Sequence, residues 1–288
     1  MNLDIRPLTP TVGAEIFGVD LCVELDDATV AALRRALLDH GVIFFRDQAL
    51  SPEQHVRFAR HFGEVKIPVF ENKSSETPGF TVIDQSAPKG SGTDAWHADS
   101  TFMAEPPLGA ILRAEHVPAC GGDTLWASMV AAYDALDADL RERLDGLVAE
   151  HSARRVMALV EKLDNAYARE TTIAPPVLHP VVRVHPETGR KLLFVSPNWV
   201  DRIVGIPEAE SDALLRSLYE HVKSPELQCR FRWQRNSVAF WDNRSTQHYA
   251  VPDYRERRVM HRVMLAGDVP FGPGQARPAA VRSSRPPA

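Results

Sequence analysis

The chain has 288 residues, of which 44% are hydrophobic and 25% charged, with 33 basic against 38 acidic side chains and a formal net charge of −5. This is ordinary globular composition, which excludes a disordered chain, a fibre and a disulfide-built miniprotein. The acidic balance advertises no face for nucleic acid, and no apolar run approaches the ~20 residues that a membrane helix needs. The three cysteines, Cys22, Cys120 and Cys229, are widely spaced with no C-x-x-C pair, and read as small buried hydrophobes of a reducing compartment. Charge appears by Asp4 and no apolar core precedes Pro7, so a secretory leader is not expected and the expected location is cytoplasmic.

Short strand-like pieces and turns lead to Gly18. Asp27 to His40 predicts a helix with Val30, Leu33, Leu37 and Leu38 on one stripe, stopped by Gly41. Val42–Phe45 is a compact buried strand. Ser51 caps a second helix, with Pro52 at its first position and Gln54 completing a capping box, and that helix runs to about Gly63. From Ile67 to Gly92 proline and glycine recur, and the segment reads as a functional loop or lid. Ser128 to Ser152 reads as mostly helical, in two parts, as an insertion. Strands return at Val181–Val184, Lys191–Val195 and Arg230–Trp233, with a helix from Glu208 to Val222 between the last two. Gln234–Asn236 turns the chain into a strand at Ser237–Trp241, and Arg257–Ala266 is the last strong strand. No linker divides residues 1–270, which are expected to form one domain; 271–288, rich in Pro, Gly, Ser and Arg, is expected to be a disordered tail.

Three features can carry chemistry. Trp96-His97-Ala98-Asp99 holds a His-x-Asp triplet that, on an extended strand, points an imidazole and a carboxylate to one face. Such a pair is two-thirds of a facial metal triad, although the triplet also arises by chance. Trp241-Asp242-Asn243-Arg244-Ser245-Thr246-Gln247-His248 follows an apolar strand, and His248 can meet His97 only if the chain closes on itself, as a jelly roll does. Read alone, His248 equally fits a rim histidine with one surface hydrogen bond. In the third feature, Arg257 to Met264, period two puts Arg258, Met260, Arg262 and Met264 on one face. Arginines about 13 Å apart, at ~3.3 Å per residue, could each hold an anion inside a barrel; a solvated edge strand fits the same pattern.

The order and spacing of these features resemble the taurine dioxygenase and 2,4-dichlorophenoxyacetate dioxygenase family of non-haem iron(II), 2-oxoglutarate-dependent oxygenases. The resemblance runs from about Ile5 to Pro270. It includes Phe44-Phe45-Arg46-Asp47-Gln48, Trp96-His97-x-Asp99, Gly121-Gly122-Asp123-Thr124-Leu125-Trp126, His179-Pro180-Val181-Val182-Arg183, Trp241-Asp242-Asn243-Arg244 with Thr246-Gln247-His248, and Met260-His261-Arg262. It implies an α+β, mainly β fold: a double-stranded β-helix (jelly roll, cupin-like) with flanking and inserted helices. It also implies that His97, Asp99 and His248 are iron ligands, that Thr124 and Arg258 take the distal carboxylate of 2-oxoglutarate, and that Arg262 faces the substrate anion. Iron(II), 2-oxoglutarate and O2 are the implied cofactor and co-substrates, with succinate and CO2 as products and hydroxylation as the outcome. Relatives that halogenate replace the carboxylate at the Asp99 position, so its presence points to hydroxylation. A homodimer or tetramer is implied by analogy alone.

The substrate end departs from the pattern. The taurine enzymes carry a histidine in the segment aligned with Val65–Phe70, where this chain offers only Lys66, which also fits a plain surface lysine, and the polar residue before Trp96 is here Ala95. A small anionic organic substrate is still expected because Arg262 is kept: an alkyl sulfonate such as taurine, a sulfate ester or an aryloxyalkanoate. Phe102, Phe194 and Trp199 are candidates for its apolar wall, although core packing fits all three. Competing readings are a tailoring oxygenase acting on an amino acid or natural-product intermediate, and a non-catalytic cupin-like binding protein. A zinc hydrolase is disfavoured by the lack of an H-E-x-x-H helix.

Overall fold

Residues 3–66, 76–86, 93–162 and 174–278 are described by the computed structural model. The chain opens with an antiparallel hairpin of β1 (Asp4–Pro7) and β2 (Ala14–Phe17). Helix α1 (Asp27–His40) begins where the Asp26 carboxylate accepts the Thr29 N–H, and ends at Gly41, whose φ of 71° only glycine tolerates freely. Its buried stripe is Thr29, Leu33, Ala36 and Leu37. Val30 and Leu38, expected on that stripe, are only half-buried. Every residue of β3 (Val42–Phe45) is buried. Helix α2 (Pro52–Arg60) has the expected capping box, in which Ser51 Oγ accepts from Gln54 N–H and Gln54 Oε1 from Ser51 N–H. It ends a few residues before Gly63.

The Ile67–Gly92 segment is not all loop. After β4 (Val65–Lys66), residues 67–75 and 87–92 lie outside the description, and between them runs β5 (Phe80–Gln85). Pro78 and Gly79 hide this strand in the sequence by supplying turn signals against its first residue. Next come β6 (Gly109–His116), β7 (Thr124–Ser128), α3 (Met129–Asp134) and α4 (Ala138–Leu144). Val148–His151, expected as the end of a helical insertion, is instead strand β8, followed by α5 (Arg154–Lys162). The strands β9 (Val177–Pro180), β10 (Val182–Val184), β11 (Lys191–Leu193) and β12 (Val200–Val204) precede helix α6 (Glu208–Val222). The last four strands are β13 (Gln228–Phe231), β14 (Val238–Asp242), β15 (Thr246–Ala250) and β16 (Arg258–Leu265).

The large sheet runs β1-β2-β3-β14-β6-β16-β4, with β5 also paired to β16, and a smaller sheet runs β13-β7-β15. Because β16 has neighbours on both sides, the solvated-edge reading of its arginines fails. Alternation sorts the large sheet's faces. Ile43, Phe45, Ile111, Val238, Phe240, Val263 and Leu265 join Leu33, Leu37, Phe58 and Phe62 of the helical layer. Val42, Phe44, Ala110, Leu112, Ala239, Trp241, Met260 and Met264 face inward and meet Trp126, Cys229, Phe231 and Trp233. Trp126 and Cys229 lie on the smaller sheet, so the inner faces of two sheets enclose one core. Both faces of the central strands β3 and β14 are thus covered, which explains their unbroken apolar runs. A second core gathers α3, α6 and the strands β8, β10, β11 and β12. Phe271, at the start of the expected tail, is buried and accepts the Val184 N–H; residues 279–288 lie outside the description. Among the described residues, no helix is long and apolar enough to cross a membrane.

Candidate active site

His97 and His248 are brought together by backbone pairing. His97 forms a one-residue antiparallel bridge with β15: its N–H donates to the His248 carbonyl (3.0 Å) and the His248 N–H donates back (2.8 Å). The two rings lie 4.2 Å apart between centroids. Asp99, by contrast, sits in a turn rather than on the strand the His-x-Asp spacing suggested, and the next residue, Ser100, has a left-handed φ of 51°. The convergence holds nonetheless. Asp99 Oδ1 is 3.8 Å from Nε2 of each histidine, and one ligand atom from each residue lies within 4.8 Å of the others.

The donor chemistry fits a divalent cation. His97 Nδ1 donates to the Ala95 carbonyl at 2.7 Å, which leaves Nε2 as the bare lone pair aimed at the other ligands. Burial, and then the neighbouring His97, hold the His248 imidazole neutral, well below the ordinary histidine range. Burial pushes the Asp99 carboxyl up against an opposing pull from His97, and its Oδ2 has no hydrogen bond among the described residues. A desolvated carboxylate facing two imidazoles, one of them held neutral by burial, is a poor arrangement by itself and a good one around a metal ion.

His97 and His248 line a cavity together with Thr124, Arg258 and Arg262, and Leu112, Trp126, Trp241 and Met260 form its apolar walls. Arg258, Met260 and Arg262 all face it, as period two required. Arg258 is 5% exposed, yet its Nε and Nη2 have no hydrogen-bond partner among the described residues. Its guanidinium lies 5.8 Å from the Trp233 ring and 6.0 Å from the Tyr254 ring. The Trp233 indole donates to Thr124 Oγ1 (2.9 Å), so the Thr124 hydroxyl keeps its own proton for another acceptor. Burial lowers the Arg262 guanidinium to about 10, and its Nη1 is 3.8 Å from Asp99 Oδ2. Two buried cationic side chains lining one cavity call for anionic ligands.

Phe102, Phe194, Trp199 and Lys66, named from the sequence, are not among the residues lining this cavity. Phe102 packs with Ala153, Met157 and Trp199, its ring 4.9 Å from that of Trp199. Phe194 belongs to the second core and stacks on His151. Lys66 is half-buried on β4.

Other residues acquire roles that the sequence alone did not assign. Asp242 accepts from the Arg244 backbone, Nε and Nη2 and from His185, locking the turn between β14 and β15. Tyr254 donates to Gln85 Oε1 (3.3 Å) beside Arg258. The signal for the first group was the Asp242-Asn243-Arg244 run itself; for Gln85 it was register opposite Arg258, which requires the pairing.

Mainly β architecture, a buried two-histidine, one-carboxylate cluster and an arginine-lined cavity define a non-haem metal enzyme. The family model "Taurine catabolism dioxygenase TauD, TfdA family" matches residues 4–264, and the chain belongs to that family. It is 41% identical over 281 residues to the alpha-ketoglutarate-dependent sulfate ester dioxygenase of Pseudomonas putida, spanning 94% of this chain and 92% of that one. It is 37% identical over 275 residues to the (S)-phenoxypropionate/alpha-ketoglutarate-dioxygenase of Sphingobium herbicidovorans, spanning 92% and 95%. Among solved structures, a taurine dioxygenase from Burkholderia xenovorans aligns with a TM-score of 0.83 and 40% identity, covering 96% of this chain and 93% of that one. The protein AAD-2, solved with Mn(II) and N-oxalylglycine, aligns with a TM-score of 0.79 and 30% identity, covering 94% and 99%. The chain is accordingly an alpha-ketoglutarate-dependent dioxygenase.

Proposed function

We propose that residues 1–270 form a single jelly-roll domain that hydroxylates a small anionic organic molecule, a sulfate ester foremost, at the carbon bearing the heteroatom. His97, Asp99 and His248 hold iron(II), and Thr124 and Arg258 hold the distal carboxylate of 2-oxoglutarate. When bound, iron(II) supplies the open coordination positions at which O2 chemistry couples decarboxylation of 2-oxoglutarate to succinate with hydroxylation of a substrate C–H bond. The observation that carries the reading is Arg258: a buried guanidinium with two nitrogens unpartnered among the described residues, in the cavity that His97 and His248 line.

The chain's own residues do the rest. Arg258 and the Thr124 hydroxyl orient the co-substrate, while Trp126, Trp241 and Met260 exclude water from the site. Arg262, on the same face of β16 and nearer Asp99, holds the substrate anion so that its neighbouring C–H bond faces the metal. Hydroxylation beside a sulfate oxygen gives an adduct that collapses to an aldehyde and sulfate. The sulfate ester stands first because the enzyme of that name is 41% identical over nearly the whole chain. The unpaired Cys22, Cys120 and Cys229 support a cytoplasmic setting.

The test is anaerobic loading with iron(II) and 2-oxoglutarate, followed by succinate release in air with hexyl sulfate, taurine, 2-phenoxypropionate and an amino acid set. A visible charge-transfer band on loading, with succinate and sulfate formed in equal amounts from hexyl sulfate, is expected. No band and no succinate with any compound would refute the dioxygenase reading, and succinate only with amino acids would overturn the substrate class.

A further inference from the structure

Asp99 is the one member of the metal-binding cluster that no β-pairing holds. His248 is within β15 and His97 is bridged to it, but Asp99 lies in an irregular turn beside a residue of positive φ. Its peptide groups are instead taken up by one side chain. The Asn243 carboxamide Oδ1 accepts the Asp99 N–H at 2.6 Å, and its Nδ2 donates to the Asp99 carbonyl at 3.0 Å and to the Pro107 carbonyl at 3.2 Å. Both amide protons and the oxygen are used, and reversing the group would oppose an N–H to an NH2 and an oxygen to two carbonyls.

Asn243 is 1% exposed and is itself fixed. Its N–H donates to the Leu108 carbonyl at 2.8 Å, and its neighbours Asp242 and Arg244 form a buried ion pair. The same turn leads into β15 and His248. Asn243 therefore ties the carboxylate-bearing turn to the segment that carries the second histidine, and its contacts run through backbone rather than through the Asp99 carboxylate.

We infer that Asn243 is a positioning residue: its carboxamide clamps the Asp99 peptide so that the carboxylate meets the two imidazoles in metal-binding geometry. This rests on the metal reading above. Partners one step removed from the ligands commonly contribute 10- to 100-fold to metal affinity. Gln48 provides a matched control, because its buried carboxamide also spans backbone groups, accepting from Leu21 N–H and donating to the Arg46 carbonyl, in contacts that include none of the three ligand residues.

The experiment titrates Co(II), under argon and without substrate, into the wild-type chain and the variants Asn243→Ala, Asn243→Asp and Gln48→Ala, with the Co(II) d–d spectrum, circular dichroism and Tm recorded for each. Asn243→Asp keeps the size and the acceptor but turns an acceptor toward two carbonyls. The Asn243 variants are expected to fold, to bind Co(II) roughly 10- to 100-fold more weakly and to show an altered spectrum. Gln48→Ala should match the wild type in affinity and spectrum even where its Tm falls as far. Wild-type affinity and spectrum in folded Asn243→Ala would overturn the inference, as would an equal loss in Gln48→Ala. Failure of both Asn243 variants to fold would assign the residue to general stability and also overturn it. A wild-type chain that binds no Co(II) would sink the metal reading itself, which the other outcomes leave standing.

Discussion

Replacing Arg258 with methionine separates its proposed use from its cost. The guanidinium is 5% exposed with Nε and Nη2 unpartnered among the described residues, and burial lowers its pKa. Each buried donor left without a partner costs about 1–3 kcal/mol, so Arg258→Met, which keeps the stem and removes the charge, should stabilise the ligand-free protein. At about 2–4 °C per kcal/mol for a chain of this order, a rise of several degrees in Tm is expected. Binding should move the other way. Two charge-assisted hydrogen bonds to a carboxylate, at roughly 1.5–3 kcal/mol each, predict a rise of about a hundredfold or more in the Kd for 2-oxoglutarate. Arg258→Lys keeps the charge but loses the fork, and should fall between. Calorimetric titration of 2-oxoglutarate into the anaerobic metal-loaded protein gives the Kd. Thermal melts with and without the ligand give the rest, since a ligand that binds only the folded state raises Tm. A Kd within twofold of wild type would refute the assignment, and a ligand-free Tm lowered as far as by a core truncation would refute the energetic argument.

Asp99→Ala should abolish the Tm gain that the wild-type chain shows on adding metal, because one of the three ligand atoms is removed; a persisting gain would show that the ion sits elsewhere. Acid should destabilise the protein in a defined window. Burial lowers His55 to about 3 and His179 to about 4 from an ordinary 6.5. Below pH 6.5 the unfolded chain therefore binds protons that the folded chain refuses, and stability present above that pH falls by about 1.4 kcal/mol per pH unit per histidine. Urea midpoints at pH 7.5, 6 and 5 check this, and His179→Gln should flatten the slope by one histidine's share; identical slopes would contradict it. Gly109→Ala would place a Cβ 2.2 Å from the Trp241 carbonyl oxygen, where β6 pairs with β14. A loss of about 2–4 kcal/mol is expected from forced separation of backbone, and a urea midpoint within error of wild type would show that the strands can move apart freely.

What the sequence made legible follows from where each signal lives. The boundaries of α1, the start of α2 and the extent of α6 rest on local chemistry, caps and a 3.6-residue apolar period, and they lie within a few residues of expectation. The face shared by Arg258, Met260 and Arg262 rests on period two, which survives any tertiary context. Strand β8 was misread because Val-Ala-Glu-His carries no strong strand preference; its state is set by pairing with β9 and β12 on either side, partners far along the chain. The His97–Asp99 reading reached the right convergence by the wrong geometry. Residues two apart share a face in a strand, but here Asp99 lies in a turn and its carboxylate reaches both imidazoles from there. Phe102 was misplaced for the opposite reason, since an aromatic side chain near a ligand fits any apolar neighbour, and Trp199 with Met157 and Ala153 supplied one.

Asn243 is the hardest case and the most instructive. Its partners are the backbone N–H and C=O of a residue 144 positions away, and every residue type except proline offers both groups. A clamp built on backbone therefore leaves no complementary side chain to find. Its only trace in the sequence is a buried amide between the two charges of an ion pair, at the turn before a ligand-bearing strand. That trace becomes readable once the peptide it holds is known to carry a metal ligand.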